Sequence, residues 1–153
     1  MTFKDFLKEN SSGTYIAVKF SSSTNEKLEK FTKDLGLTPV EDFHCTICYS
    51  KKKLNVNYGE KDFNGNAKIT GINYLGEKDS DYRAFVLEID SPEIKKLHEK
   101  YVQEYNYEHT FDKFIQHISL AYKPDENIDI KNIELPNFNI EINKEIIETL
   151  KEL

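Results

Sequence analysis

With two cysteines, Cys45 and Cys48, in 153 residues, this chain cannot be a disulfide scaffold. Its core must come from apolar packing, for which the length suffices in a single domain over 1–153. No apolar run approaches the roughly 20 residues that cross a bilayer, and Met1-Thr2-Phe3-Lys4-Asp5 lacks the charged-then-apolar layout of a secretory leader. A cytoplasmic protein with free thiols and no membrane partner is expected. Arginine is also scarce, Arg83 being the only one; lysine is abundant, but acids outnumber it and intersperse with it, and the net charge is −6. That leaves no broad basic face for long nucleic acid, although a compact phosphorylated ligand is still compatible.

Against this background one pattern occurs twice, as His44-Cys45-Thr46-Ile47 and His117-Ile118-Ser119-Leu120. With four histidines in the chain, two such His-x-Thr/Ser-apolar tetrapeptides are about a one per cent coincidence. Each sits in a strand-like run, so His44 and Thr46 share one face, as do His117 and Ser119. His98 and His109 lack the pattern and read as ordinary surface or structural residues.

The surroundings repeat as well. Thr14 to Phe20 alternates like a half-buried strand, Ser23-Thr24-Asn25-Glu26 offers a capping box, and Leu28, Phe31 and Leu35 give a helix one apolar face that Gly36 closes. The strand Phe43–Ser50 follows. In the second half Arg83 to Asp90 is a strand, and Ser91-Pro92 starts a helix with Ile94, Leu97, Tyr101, Val102 and Tyr105 on its buried face. The strand Phe114–Tyr122 carries the second motif. Between the halves, approximately 14–50 and 83–122, Asn66–Gly76 reads as a further strand; Asn137–Asn143 reads as another, and Lys144–Leu153 as a short helical tail. The class is α+β with antiparallel sheets.

Two histidines and two hydroxyls suit the breaking of a phosphodiester. One imidazole can take the nucleophile's proton while the other protonates the leaving oxygen, and hydroxyls can hold the non-bridging oxygens. Pseudo-symmetry leaves open which histidine is the base, and the nucleophile is either water or a ribose 2′-hydroxyl. Cys45-Thr-Ile-Cys48 is a C-x-x-C with no second copy, and residues three apart on a strand face opposite sides. Zinc held by His44, Cys48 and His117 would leave Thr46 and Ser119 without a role. No metal or other cofactor is expected. Tyr49 and Tyr122 fall opposite the histidines and read as packing; Tyr15 and Tyr74, at a strand start and near a loop, stand between packing and stacking on a base.

The paired motifs resemble those of the two-histidine (2H) phosphoesterases. Within that superfamily the chain is most similar to the phage anti-CBASS phosphodiesterases, which degrade the cyclic di- and trinucleotide signals of bacterial CBASS immunity. The likeness rests on Gly13–Phe20, Phe43–Ser50, Arg83–Ser91, His117–Tyr122 and Glu145–Leu150, in the same order along nearly the whole chain. It implies a bilobal pseudo-twofold fold, with antiparallel sheets lining a central cleft and helices outside. It further implies a metal-independent enzyme in the cytosol of an infected host, with His44, Thr46, His117 and Ser119 catalytic and a cyclic oligonucleotide as substrate. Tyr15 would contact a base and Glu145 would hydrogen-bond one. The family tends to stack a tryptophan on its ligand; this chain has none, and Tyr74 is the candidate stand-in. The alternatives are a 2H enzyme acting on RNA 2′,3′-cyclic phosphate ends, disfavoured by the acidic charge balance, and a sponge that binds cyclic nucleotides uncut.

Overall fold

A computed structural model describes residues 13–50, 56–105, 114–124 and 129–150. In chain order these form strand β1 (Gly13–Phe20), helix α1 (Ser22–Asp34), strands β2 (His44–Ser50), β3 (Gly59–Leu75) and β4 (Ala84–Asp90), helix α2 (Pro92–Tyr105), and strands β5 (His117–Tyr122) and β6 (Ile140–Leu150). The class is α+β, as the sequence indicates. The six strands make one antiparallel sheet in the order β2-β1-β6-β3-β4-β5, not two separate sheets. Read from either end, that order is motif strand, preceding strand, then a central strand, so the internal repeat reappears as a symmetric strand order.

The helices begin and end where local chemistry dictates. Ser21 is the N-cap of α1, its Oγ accepting from Thr24 N, so the helix starts two residues earlier than the Ser23 capping box suggests. Thr24 Oγ1 is instead occupied by Glu141 N, which ties α1 to β6. Gly36, at φ 80°, closes α1 by a Schellman turn: Gly36 N donates to Lys33 O and Leu37 N to Thr32 O. Ser91 Oγ caps α2 through Ile94 N.

One sheet face carries the core. Ile16, Val18, Cys45, Phe85, Leu87, Ile140 and Ile142 point there, where Leu28 of α1 and Ile94 and Tyr101 of α2 cover them. Val102, placed on the buried face by periodicity, is 36% exposed at the margin of the stripe; the side chain of Tyr105 lies outside the described residues.

The C-terminus corrects the sequence reading. Lys144 to Leu150 continues β6 and is not a helix, and 151–153 lie outside the described residues. This strand sits between β1 and β3, so it buries residues on both faces: Ile142 and Ile147 towards the core, Ile146 on the other side with Tyr15. Two-sided burial erases the alternation that would have marked it as a strand, and β-branched isoleucines suit that position. β3 likewise starts at Gly59 and not Asn66, because its polar, exposed first residues pair with β6 without an apolar signature.

Gly36 and Gly76 both have positive φ, but only at Gly76 would a Cβ press on backbone, 2.7 Å from Tyr82 O. The left-handed conformation costs other residues about 1–2 kcal/mol. In urea unfolding, Gly36→Ala should lose stability of that order and Gly76→Ala clearly more; equal losses would mean that the chain at Tyr82 moves aside freely.

Candidate active site

β2 and β5 are the two ends of the sheet order, yet they lie against each other. Each is bent by a β-bulge at the same motif position. Ala17 faces Thr46 and Ile16 faces Cys48, so Ile47 is the extra residue; Val86 faces Ser119 and Phe85 faces Ala121, so Leu120 is its counterpart. A bulged residue drops out of the ladder and needs another partner for its carbonyl. Here both partners come from the opposite half: His98 Nδ1 of α2 donates to Ile47 O at 2.9 Å, and Val40 N donates to Leu120 O at 2.8 Å. The Cys45 sulfur also lies beside the backbone of His117. These reciprocal bonds hold the motif strands together.

Following the pairing across the continuous sheet puts His44, Thr46, His117 and Ser119 on one face, opposite the core. All four are partly buried, while Cys45, Ile47, Ile118 and Leu120 between and beside them are fully buried. The two rings are held alike: His44 Nδ1 bonds to Asp42 O at 3.1 Å and His117 Nδ1 to Ile115 O at 2.8 Å. A carbonyl only accepts, so Nδ1 carries the proton in both, and the basic lone pair of each neutral ring is on Nε2. Matching motifs therefore acquire matching tautomers.

The neighbours of the rings differ. Lys19 is the cross-strand partner of His44, and Lys19 Nζ is 3.5 Å from the Asp42 carboxylate. Glu88 is the partner of His117, its carboxylate lying over Gly71, where a Cβ would come within 2.9 Å of Glu88 Oε1. Burial pushes the His117 pKa below the ordinary imidazole value, against the opposing pull of the Ile115 carbonyl and Glu88.

The two hydroxyls also differ in support. Tyr15 is 2% exposed, shares a 2.8 Å hydrogen bond with Thr46 Oγ1 and stands edge-on to His44 at 6.2 Å. Burial raises its phenol pKa, outweighing the Thr46 bond. Tyr15 thus reaches the site through its hydroxyl, with its ring packed in a small cluster with Ala17, Tyr49 and Ile146.

Several expectations need correction. Glu145 is 1% exposed on the core face, where Tyr101 OH donates to it and Lys61 Nζ lies 3.3 Å away. Its pairing with Val18 turns it away from the histidines, whereas Glu148, paired with Tyr15, lies on the site face. Tyr74 also faces the core side, edge-on to Phe85 and beneath the Arg83 guanidinium, so it is not beside Ser119. The bulges overturn two further readings. Cys45 and Cys48 share the core face, both buried and neither in a disulfide, with the Cys45 thiol pushed up to about 12 by burial. Tyr49 and Tyr122 are shifted onto the histidine face. His98, read as a surface or structural residue, has a structural role: it braces the Ile47 bulge and stacks on Phe114 with ring centroids 3.8 Å apart; His109 lies outside the described residues. Among the described residues, no three His, Cys, Asp or Glu side chains group as metal ligands, and no helix is long and apolar enough to cross a membrane.

The family model for Anti-CBASS protein Acb1 matches residues 12–153. The chain belongs to the Acb1 family. Among its relatives is the Anti-CBASS protein Acb1 of Salmonella phage S16, 36% identical over 80% of this chain and 77% of that protein. The Acb1 of Enterobacteria phage T4 is 32% identical over 99% and 94%, and that of Acinetobacter phage Ac42 is 30% identical over 92% and 89%. The Acb1 match thus spans both motifs and the whole described sheet.

The bulge bond of His98 is testable by itself. His98→Phe keeps a ring against Phe114 but removes the donor to Ile47 O, and should cost about 1–3 kcal/mol in chemical unfolding, whereas His98→Asn, which retains a side-chain N–H, should recover part of the loss. Equal stability of wild type and His98→Phe would show that the bulge does not need the ring.

Proposed function

We propose that this protein is a metal-independent phosphodiesterase of the 2H type that linearises cyclic di- or trinucleotide signals and so blocks CBASS immunity. The observation that carries this reading is the pair of histidines on one sheet face, each with Nδ1 committed to a backbone carbonyl and a hydroxyl two residues on. Membership of a family named for anti-CBASS activity supplies the biological setting.

In this mechanism one Nε2 removes the proton from the nucleophile, a water or a ribose 2′-hydroxyl, as it attacks phosphorus. The bond from phosphorus to the leaving ribose oxygen breaks, and the second imidazolium delivers a proton to that oxygen from its own Nε2. Thr46 and Ser119 donate to the non-bridging oxygens as negative charge builds there. Tyr15 orients the Thr46 hydroxyl. His117 suits the base, because burial favours its neutral ring. His44 suits the acid, with the Asp42 carboxylate 3.9 Å from Nδ1 to face an imidazolium.

The test is incubation with 3′,3′-cyclic GMP-AMP in EDTA, following linear products by chromatography. Wild type should cleave, and His44→Ala and His117→Ala should each lose at least about a hundredfold, the scale of a lost general acid or base. Loss of wild-type activity in EDTA would overturn the metal-independent mechanism. Intact cyclic nucleotide beside cleavage of a 2′,3′-cyclic phosphate-ended RNA would move the assignment to RNA ends, and intact ligand recovered after denaturation would indicate a sponge.

The pH profile tests the assignment of roles. A base must be deprotonated to act, so activity falls as pH drops through its pKa; with His117 as base, the acid limb of kcat/KM lies below the ordinary imidazole value of about 6.5. An acid limb above that value would overturn the assignment of His117 as the base.

A further inference from the structure

The rows of side chains crossing the sheet show why the two matched motifs need not treat a substrate symmetrically. From His44 the site face runs to its β1 partner Lys19, then to Lys19's β6 partner Lys144. From His117 the corresponding row runs to Glu88 and then to Gly71. One motif thus has two cations beside it in the sheet, and the other an acid and a bare backbone.

Two lysines directly opposite each other on neighbouring strands repel. Each is paired with an exposed carboxylate: Lys19 with Asp42 at 3.5 Å and Lys144 with Glu60 at 3.6 Å. Both ammonium groups stay accessible, with side chains 31% and 46% exposed. Solvent-exposed pairs of this kind contribute little, so a phosphate can displace the carboxylates at small cost. The strand spacing of about 4.8 Å puts the Lys19 backbone one step and the Lys144 backbone two steps from His44, and the four-carbon stems add reach. The reacting phosphate lies between the two motifs. A ligand carrying a second phosphodiester would then lay it over β1 and β6.

We infer that Lys19 and Lys144 form a second phosphate subsite, which binds a non-reacting phosphodiester of the substrate. The assignment deepens the proposed function and rests on it for the identity of the reacting site. It gives a physical basis for preferring a cyclic oligonucleotide, with two or three phosphodiesters, over a ligand with a single one. It also supplies positive charge that the chain as a whole, at −6, does not.

The experiment compares wild type with the double variant Lys19→Met/Lys144→Met and with Lys19→Arg/Lys144→Arg, each first shown to unfold cooperatively. Turnover is measured on 3′,3′-cyclic GMP-AMP and on bis(p-nitrophenyl) phosphate, which has a single phosphodiester. Calorimetry measures binding of the bis-phosphorothioate analogue of the cyclic dinucleotide. For the methionine variant, KM for the cyclic dinucleotide should rise at least tenfold more than KM for the single-phosphate reporter. Affinity for the analogue should fall at least tenfold and lose part of its salt dependence, and the arginine variant should recover most of both. Equal losses on the two substrates, or unchanged affinity for the analogue, would overturn the subsite. Wild type that binds the analogue through these lysines but cleaves neither compound would overturn the catalytic reading and leave the subsite standing; wild type that does not bind the analogue would overturn the subsite.

Discussion

The site depends on the contact between the two ends of the sheet. A six-stranded antiparallel sheet with β2 and β5 at its edges would ordinarily hold them apart, and the four motif side chains with them. The bulges at Ile47 and Leu120 change this by releasing one carbonyl from each edge strand, and each carbonyl is taken up by the opposite half. An unpaired buried carbonyl is costly, so each half completes the other's hydrogen bonding. The same bulges move Tyr49 and Tyr122 to the histidine face and bring Cys48 to the core face that Cys45 already occupies. A single backbone device thereby sets which side chains line the site and which pack beneath it.

Polar and apolar surroundings then divide the labour. The core below is fully buried, which fixes the strands from one side and leaves the histidines and hydroxyls only partly covered on the other. Desolvation at His117 opposes its charged form, whereas His44 sits among Lys19 and Asp42 in a more polar setting. Two matched motifs thus sit in unequal environments, the asymmetry on which the proposed division into base and acid rests.

Much of this was legible in the residues. The His-x-Thr/Ser pattern at period two placed each histidine with its hydroxyl, and Gly36, Ser91-Pro92 and the apolar spacing of the helices marked most boundaries. The repeat foretold the symmetric strand order. Lys19 was legible as well, being four residues from Tyr15 on an alternating strand and hence on its face. The misread elements were those whose neighbours decide their conformation. Central burial hid Lys144 to Leu150 as a strand, and the polar start of β3 is a strand only because β6 pairs with it. Glu145 was placed by short local likeness, and Tyr74 as a stand-in for a missing tryptophan, and neither ground carries information about sheet face.

The amino-acid sequence by itself determined the chemistry available to this protein: two imidazoles, two hydroxyls, their spacing, and an acidic chain whose cations are lysines and a single arginine. These are local properties, set by residue identity and the two-residue period of a strand. Tertiary structure alone decided how that chemistry is arranged, through the bulges, the register of β6 and the meeting of β2 with β5. A register shift of one residue turns a side chain to the other face, and register is fixed by partners distant in the chain.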